Sequence, residues 1–555
     1  MKRLLPILLS LLLLCGCAAP AAQPAATETV PATEFVPVPE TAPASQPNAA
    51  ELSYKSRFKS ETVIRLSDTG MDVTGPNSRA VFGSNDIVYY EDRDTYESGN
   101  PYGEGTDADK HTAEEAAKHY VVNITEPGAY RVTGRLPYGQ IRIDLGKRAK
   151  KDETAVVELI LDNADITCTV APAILFQSVY ECDADRNEDN ATPDVDTSNA
   201  GANLILEGEN TVTGSYVAKI FKDKDGEKKL WKQDGAIYSY MSLNVYGPGS
   251  LTLNADNEGL DTELHLTVNG GDITILSGND GINTNEDNVS VTTINAGTLR
   301  IVAGLGAEGD GIDSNGYLVI NGGTVISAAK PHSDSGLDSS CGSFIHGGTV
   351  VALGAAMDWA ESDSEQVTMN LQFSQHQNGA LCITGEDGAE VFSFDPATDP
   401  VLKEYDRGYQ GVVVSCPAFR VDDSYEVSVG GTKMMYTSTD VMRGPGGFGG
   451  FGGGKGQHPQ GGMPAFGEGE RPAMPEGEVP TWPEGEAPAR PNGNRGEGRN
   501  PNGWGNRTPN GEPPADGQNP GSNRNPNAQH DPGTGNTRFY MQDQVNFFSG
   551  LSAAE

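Results

Sequence analysis

Four short acidic motifs recur in the middle of the chain, each built around a glycine with carboxylates on either side. They read NEGLDT (257–262), NDGINT (279–284), GDGIDS (309–314) and DSGLDS (334–339). Carboxylate and amide oxygens in turns are the hard ligands that Ca²⁺ prefers. Residues 251–340 contain 13 acidic side chains and only Arg300 and Lys330 as bases. This excess of hard oxygen ligands predicts bound calcium in these motifs.

Aligning the motifs on their glycines places equivalent side chains in columns. The residues predicted to bind Ca²⁺ are Glu258, Asp261, Asp280, Asn283, Asp310, Asp313, Asp334 and Asp338. Asp and Asn are also ordinary turn residues that cap their own backbone, and for any single position that alternative stays open. The next column, Thr262, Thr284 and Ser314, is predicted with Tyr317 to bind a hydroxyl-rich ligand.

A second glycine motif follows each acidic motif in the same phase. It reads VNGGDITI, INAGTLRI, INGGTVIS and IHGGTVVA, with glycines 26, 26 and 25 residues apart. Each copy holds two or three short strand patterns and no helix-length pattern of 3.6 residues. One copy cannot bury its apolar side chains alone, so the copies must stack. We therefore predict an all-β fold, a right-handed parallel β-helix with a small C-terminal antiparallel β cap and disordered tails.

Composition divides the rest of the chain. Residues 1–17 combine a basic start, an apolar run and Gly16-Cys17, which resembles a bacterial lipoprotein signal peptide with lipidation at Cys17. The predicted parts that follow are an Ala/Pro/Thr-rich linker (18–50), the β-helix with an N-terminal cap (51–364), the C-terminal cap (365–442) and a Gly/Pro/Asn-rich disordered tail (443–555). The last stretch, RFYMQDQVNFFSGLSAAE, is more apolar, and we favour a frayed end over a docking element.

The net charge restricts the partners. The chain carries 77 acidic and 39 basic residues, a formal charge of −38. Phosphate backbones are repelled by such a surface, so we expect no nucleic-acid partner. A divalent cation, or a partner reached through one, is favoured instead.

Several segments resemble a bacterial carbohydrate-binding β-helix family whose shape is related to that of pectate lyases. They include YVVNITEPGAYRVTGRLPYGQIRIDL (120–145), AVVELILDNADIT (155–167) and FSQHQNGALCITGEDGAEVFSF (373–394), with the glycine repeats between them in the same order. The resemblance implies an extracellular protein, calcium in the Asp-rich turns, and binding of cellulose or an acidic glycan such as pectin. Two insertions, 180–199 and 221–233, depart from the family pattern.

From these features we expect a non-catalytic polysaccharide-binding monomer, held on the bacterial cell surface by a lipid anchor. One alternative is a calcium-dependent pectate lyase, in which Lys330 or Arg300 would be the base. A second alternative is an adhesin or scaffold whose Gly/Pro-rich tail is the interacting part.

Overall fold

The structure is a computed structural model, and it describes residues 54–89, 111–222, 228–355, 358–441 and 535–554. These residues belong to one compact unit, Pro47–Glu555. The predicted signal peptide, Cys17, the linker and most of the Gly/Pro-rich tail lie outside the described residues. Within the described part no helix is long and apolar enough to cross a membrane.

The part before the repeats is built mainly from strands. The strands are β1 (Glu61–Ser67), β2 (Gly70–Thr74), β3 (Val81–Ser84), β4 (Tyr120–Ile124), β5 (Gly128–Leu136), β6 (Gly139–Asp144), β7 (Val157–Thr167), β8 (Ile174–Ser178), β9 (Ala202–Glu207), β10 (Glu209–Gly214), β11 (Val217–Lys222) and β12 (Lys228–Gln233). Helical structure in the described residues is limited to α1 (Ala113–Ala116) and the 3₁₀ turns Ser78–Ala80, Ala149–Lys151 and Leu402–Glu404.

Each repeat then contributes three short strands. They are β13 (Gly235–Ser239), β14 (Leu243–Tyr246), β15 (Ser250–Ala255), β16 (Glu258–Thr262), β17 (Leu266–Val268), β18 (Asp272–Ser277), β19 (Ile282–Thr284), β20 (Val291–Ile294), β21 (Thr298–Val302), β22 (Ile312–Ser314), β23 (Tyr317–Ile320), β24 (Thr324–Ala328), β25 (Leu337–Ser339), β26 (Gly342–Ile345) and β27 (Thr349–Gly354).

The repeats pair strand by strand, and all pairings between them are parallel. Ladder 1 runs β13–β16–β19–β22–β25 and continues back through β8, β6 and β4. Ladder 2 runs β9–β14–β17–β20–β23–β26, and ladder 3 runs β10–β15–β18–β21–β24–β27. The all-β prediction is therefore confirmed, and its large sheets are rich in parallel pairs.

The core forms because apolar side chains of equivalent strands stack. Ladder 1 contributes Ile237, Leu260, Ile282, Ile312 and Leu337, none more than 1% exposed. Leucine, isoleucine and valine from ladders 2 and 3 complete the same cluster. Strand side chains alternate between faces, so the residues between these apolar positions point away from the core.

The glycine motifs turn the chain between ladders 2 and 3. Gly271, Gly297, Gly323 and Gly348 have φ between 79° and 97°, a region that favours glycine. The turns also touch, since a Cβ at Gly323 would lie 2.7 Å from the carbonyl oxygen of Gly297. Glycine suits these corners because it adopts positive φ without the steric cost of a Cβ.

The C-terminal part is antiparallel for the most part. Its strands are β28 (Thr368–Gln377), β29 (Leu381–Thr384), β30 (Glu390–Phe394), β31 (Tyr409–Ser415), β32 (Ser424–Val429), β33 (Thr432–Met435), β34 (Ser438–Val441), β35 (Phe539–Tyr540) and β36 (Val545–Ala553). Strand β31 pairs antiparallel with both β27 and β28, so this part covers the end of ladder 3.

The prediction of a frayed C-terminal end was wrong. Strand β36 pairs with β28, β33 and β34. Phe539, Phe548 and Leu551 are at most 1% exposed. They belong to a second apolar cluster, formed mainly by side chains of the C-terminal strands. Burial of these large side chains explains why the chain end is held in the sheet.

Candidate functional site

The acidic residues of ladder 1 form one continuous column. Asp261 pairs with Asn283, Asn283 with Asp313, and Asp313 with Asp338. Paired strands lie ~4.8 Å apart, so these side chains are immediate neighbours along the sheet. The structure therefore brings together the column that the sequence alignment predicted.

A second column of carboxylates lies on the N-terminal side of the ladder 1 strands, next to the glycine of each motif. Asp280 Oδ1 accepts the backbone N–H of Asp310 at 2.7 Å, and Asp310 Oδ1 accepts that of Ser335 at 2.5 Å. Asp334 Oδ2 accepts the N–H of Gly309 at 3.0 Å. Each of these carboxylates thus uses one oxygen to hold the adjacent repeat. We call Glu258, Asp261, Asp280, Asn283, Asp310, Asp313, Asp334 and Asp338 the acidic row.

The acidic row is most deeply buried at its N-terminal end, which also contains a residue that the sequence analysis missed. One oxygen each of Asp234, Glu258 and Asp261 lie within 4.8 Å of one another, and all three residues are buried. Lys232 of β12 forms an ion pair with Asp234. Asp234 directly precedes Gly235 in QDGAIYS (233–239), as Glu258, Asp280 and Asp310 directly precede their glycines. The sequence therefore carried a signal for Asp234, but this copy has no Asp or Asn two residues after its glycine and so does not match the four acidic motifs.

The opposite end of the row also extends beyond the predicted residues. Asp358 Oδ2 accepts the hydroxyl of Ser339 at 2.7 Å and that of Ser343 at 3.3 Å. Burial raises the pKa of Asp358 to about 6. Asp358 lies in none of the repeated motifs, so sequence alignment offered no signal for it.

Burial and mutual repulsion disfavour ionisation along the row. Burial, followed by the neighbouring Asp338, raises the pKa of Asp310 to about 8 and that of Asp313 to about 7. Burial and then Glu258 raise the pKa of Asp261, and burial and then Asp313 raise that of Asp280. Carboxyls held this close keep protons unless a cation offsets their charge.

The oxygens of the row fit a calcium ion. Among the described residues, no N–H group donates to Asp261 Oδ2 or Asn283 Oδ1, although Asp261 is fully buried and Asn283 is 6% exposed. A buried oxygen without a donor is costly. Carboxylate and amide oxygens are also the donor set that calcium takes. We conclude that the residues present are suited to hold this metal.

The hydroxyl column does not lie where the sequence analysis expected it. Thr262, Thr284 and Ser314 are fully buried, and Thr284 Oγ1 hydrogen-bonds Ser314 Oγ at 2.8 Å. Alternation along the strand is the reason, because Thr262 shares the inward face with Leu260. These three residues therefore have no surface to offer a ligand.

Tyr317 is partly covered by the acidic insertion 180–199. Its hydroxyl donates to the carbonyl of Ala191 at 3.3 Å. The insertion lies along the repeats: Glu181 Oε2 accepts the N–H of Ser242 at 2.7 Å, and Arg186 pairs with Glu286. The tyrosine ring is thus not an open platform for a sugar.

Both bases considered for a lyase are engaged by the protein itself. Arg300 lies on ladder 3 and forms ion pairs of 3.5 Å with Asp272 and Asp399. Lys330 Nζ donates to the carbonyl of Gly306. Arg300 is on a different ladder from the acidic row.

Comparisons with known proteins find a family, a relative and a solved structure to which parts of the chain are similar. Residues 118–386 match the family described as carbohydrate-binding domain-containing protein. A protein of that description from Acetivibrio thermocellus is 29% identical over 155 residues, 28% of this chain. The chain spans 44% of the length of that relative. A polysaccharide lyase-like protein from C. thermocellum, solved as a gadolinium derivative, is 20% identical and aligns with a TM-score of 0.30, covering 52% of this chain and 93% of that one.

Proposed function

We propose that this protein is an extracellular, non-catalytic polysaccharide-binding protein, anchored to the bacterial cell surface through Cys17. Its repeats wind as a right-handed parallel β-helix stabilised by Ca²⁺ in the acidic row. The family match over residues 118–386 supports the carbohydrate partner. The calcium proposal rests on the stacked acidic row, in which buried oxygens of Asp261 and Asn283 accept no hydrogen bond from the described residues.

The role of calcium follows from where its ligands lie. Asp261, Asn283 and Asp313 come from three successive repeats, so one ion among them would link those repeats. Bound calcium supplies positive charge that lets the carboxyls ionise. Bridging to a uronate of an acidic glycan is limited to the half-exposed end, at Asp310, Asp313 and Asp338, because the other end is buried.

A binding protein is preferred over a lyase because the site offers no poised base among the residues considered. Arg300 is held by two carboxylates and Lys330 by a carbonyl oxygen. Proton abstraction beside a uronate needs a base within hydrogen-bond reach of the sugar. We therefore expect no unsaturated products when the protein is incubated with pectate and calcium, measured by ultraviolet absorbance.

Calcium binding is tested by isothermal titration of the purified chain, with Asp313→Asn as the variant. Asp272→Asn is a matched control, since Asp272 is exposed on ladder 3, two repeats before Asp313. We expect weaker calcium binding in Asp313→Asn and wild-type binding in the control. A wild-type titration without heat, and without a calcium-dependent rise in melting temperature, contradicts the metal proposal.

The glycan partner is tested separately, by sedimentation with insoluble cellulose and by affinity electrophoresis in pectin. Both are run with calcium and with a chelator. Retention by at least one glycan supports the proposed function. Failure to bind either glycan in the presence of calcium contradicts it, whatever the calcium titration gives.

A further inference from the structure

A groove of about 720 Å³ runs across the outer face of ladder 2, away from the acidic row. Its floor is a column formed by the residues that precede the glycine turns: Tyr246, Asn269, Asn295, Asn321 and His346. These positions lie at the C-terminal ends of five consecutive strands of ladder 2. The floor is therefore roughly 19 Å long. We call Asn269, Asn295 and Asn321 the amide row.

The amide row presents hydrogen-bonding groups at regular intervals. Asn295 Nδ2 donates to Asn269 Oδ1, and Asn321 Nδ2 donates to Asn295 Oδ1, each at 2.8 Å. A primary amide has two N–H donors and two acceptor lone pairs. The bonds within the row use one donor and one lone pair of Asn295 and leave one of each for a ligand. Thr293, beside this row on the floor, adds a hydroxyl.

Two segments form the walls, and both are fixed to the sheet. Residues 193–198 of the acidic insertion are one wall, where Thr197 Oγ1 hydrogen-bonds Thr267 Oγ1 at 2.7 Å. Residues 54–57 are the other, where the N–H of Arg57 donates to Glu158 Oε1 at 2.7 Å. The insertion that departs from the family pattern therefore shapes a groove instead of filling it.

Aromatic rings lie at both ends of the floor. The rings of Tyr54 and Tyr246 are 4.7 Å apart at one end, and those of Phe344 and His346 are stacked at 6.2 Å at the other. Aromatic faces pack against the C–H faces of sugars. His346 Nδ1 is buried and has no hydrogen-bond partner among the described residues, which leaves a polar atom of the lining unsatisfied.

The charges of the lining balance. Lys55 and Arg57 on one wall face Asp194 and Asp196 on the other. The groove therefore lacks the negative excess of the whole chain, and it needs no bridging cation to accept a neutral ligand. An extended glycan advances by on the order of one strand spacing per sugar, so the floor matches about four sugars.

We propose that this groove binds an extended, neutral, hydroxyl-rich polysaccharide along the amide row. The inference rests on the proposed function and adds its site and its substrate class. Sugar hydroxyls would take the remaining N–H groups and lone pairs of the row, and the end sugars would pack on the aromatic rings.

The test is isothermal titration of the full chain with cellohexaose, and with a galacturonate hexamer as the acidic probe. Asn295→Ala removes the central amide, and Asn321→Ala removes an exposed one with a single bond in the row. The control is Asn254→Ala, because Asn254 is a half-buried asparagine of ladder 3 whose Nδ2 donates to Thr213 Oγ1 at 3.2 Å. Circular dichroism and melting temperature establish that each variant folds.

We expect Asn295→Ala to weaken cellohexaose binding about tenfold, the equivalent of about 1.4 kcal/mol. Asn321→Ala should give a smaller loss, and Asn254→Ala should bind like wild type. If wild type binds cellohexaose and both row variants bind it with unchanged affinity, the groove is not the binding site, and the proposed function still stands. Wild-type binding of the galacturonate hexamer alone overturns the neutral substrate class. If wild type binds no glycan at all, the proposed function fails with the inference.

Discussion

Replacing Gly323 by alanine tests whether the glycine turns of successive repeats touch as the structure places them. Gly323 has φ of 79°, and a Cβ there would lie 2.7 Å from the carbonyl oxygen of Gly297. Gly431 provides a matched control, because its φ is also 79° but a Cβ there has no atom within 4 Å. The two substitutions therefore differ only in the contact with the neighbouring repeat.

The expected cost is worked out from these two values. Left-handed backbone costs an L-residue about 1–2 kcal/mol, and this applies to both variants. At Gly323 the added methyl also meets a backbone oxygen that cannot rotate away, and overpacking of this kind costs about 1–3 kcal/mol more. We expect Gly431→Ala to lose about 1–2 kcal/mol of stability and Gly323→Ala about 2–5 kcal/mol.

The measurement is urea unfolding followed by circular dichroism, with calcium saturating and both variants compared with wild type. We compare the losses of unfolding free energy in the two variants, because the cost of the left-handed backbone is common to both and cancels. Equal losses of stability at Gly323 and Gly431 would refute the close stacking of the turns. The even spacing of the amide row would then lose its basis too.

Three further outcomes follow from the acidic row and its surroundings. Metal-free protein should lose stability as pH rises from about 4 to about 8. The folded pKa values of Asp310 (about 8) and Asp313 (about 7) lie above the ordinary 3.8, so the folded state binds more protons than the unfolded state in that window. Melting temperatures measured at pH 5 and pH 8 check this, and saturating calcium should reduce the difference between them. Thr284→Val should cost about 1–3 kcal/mol by breaking a buried hydrogen bond, with glycan affinity unchanged by titration; a loss of affinity would restore a binding role for the hydroxyl column. Lys232→Met removes the ammonium group paired with buried Asp234, so the metal-free variant should lose ~3 kcal/mol of unfolding free energy. Calcium should then raise the melting temperature of the variant more than that of wild type. An equal rise in both proteins would count against a cation at Asp234.

Much of the repeat architecture could be predicted because it depends on spacing. The pairing of Asp261 with Asn283 and of Asp313 with Asp338 follows once the glycine motifs recur in phase. A strand of three residues between fixed turns has little freedom to slip, since a shift of one residue would expose the apolar column.

Other features depend on information that the repeat alignment does not contain. The inward position of Thr262 was available from strand alternation, because Leu260 two residues earlier is a core residue, but the alignment of columns ignored it. Asp234 lies in the copy QDGAIYS, which has no Asp or Asn two residues after its glycine and so does not match the four acidic motifs. The groove required knowing where residues 54–57 and 193–198 lie, because neither segment belongs to the repeats whose strands form the floor. The return of β36 to β28 is a contact of the same long-range kind.

The two rows lie on different ladders, so the proposed roles of metal and sugar would be separate. Three successive repeats each give two residues to the acidic row on ladder 1 and one to the amide row on ladder 2, as Asp280, Asn283 and Asn295 do within a single repeat. No residue of the acidic row lines the groove, so the proposed cation would act between repeats and not on the sugar. Its removal should therefore affect sugar binding only by loosening the stack that sets the spacing of the amides. If calcium instead bridged the sugar directly, Asp313→Asn and chelation would abolish glycan binding in protein that is still fully folded, and the groove variants would have no effect.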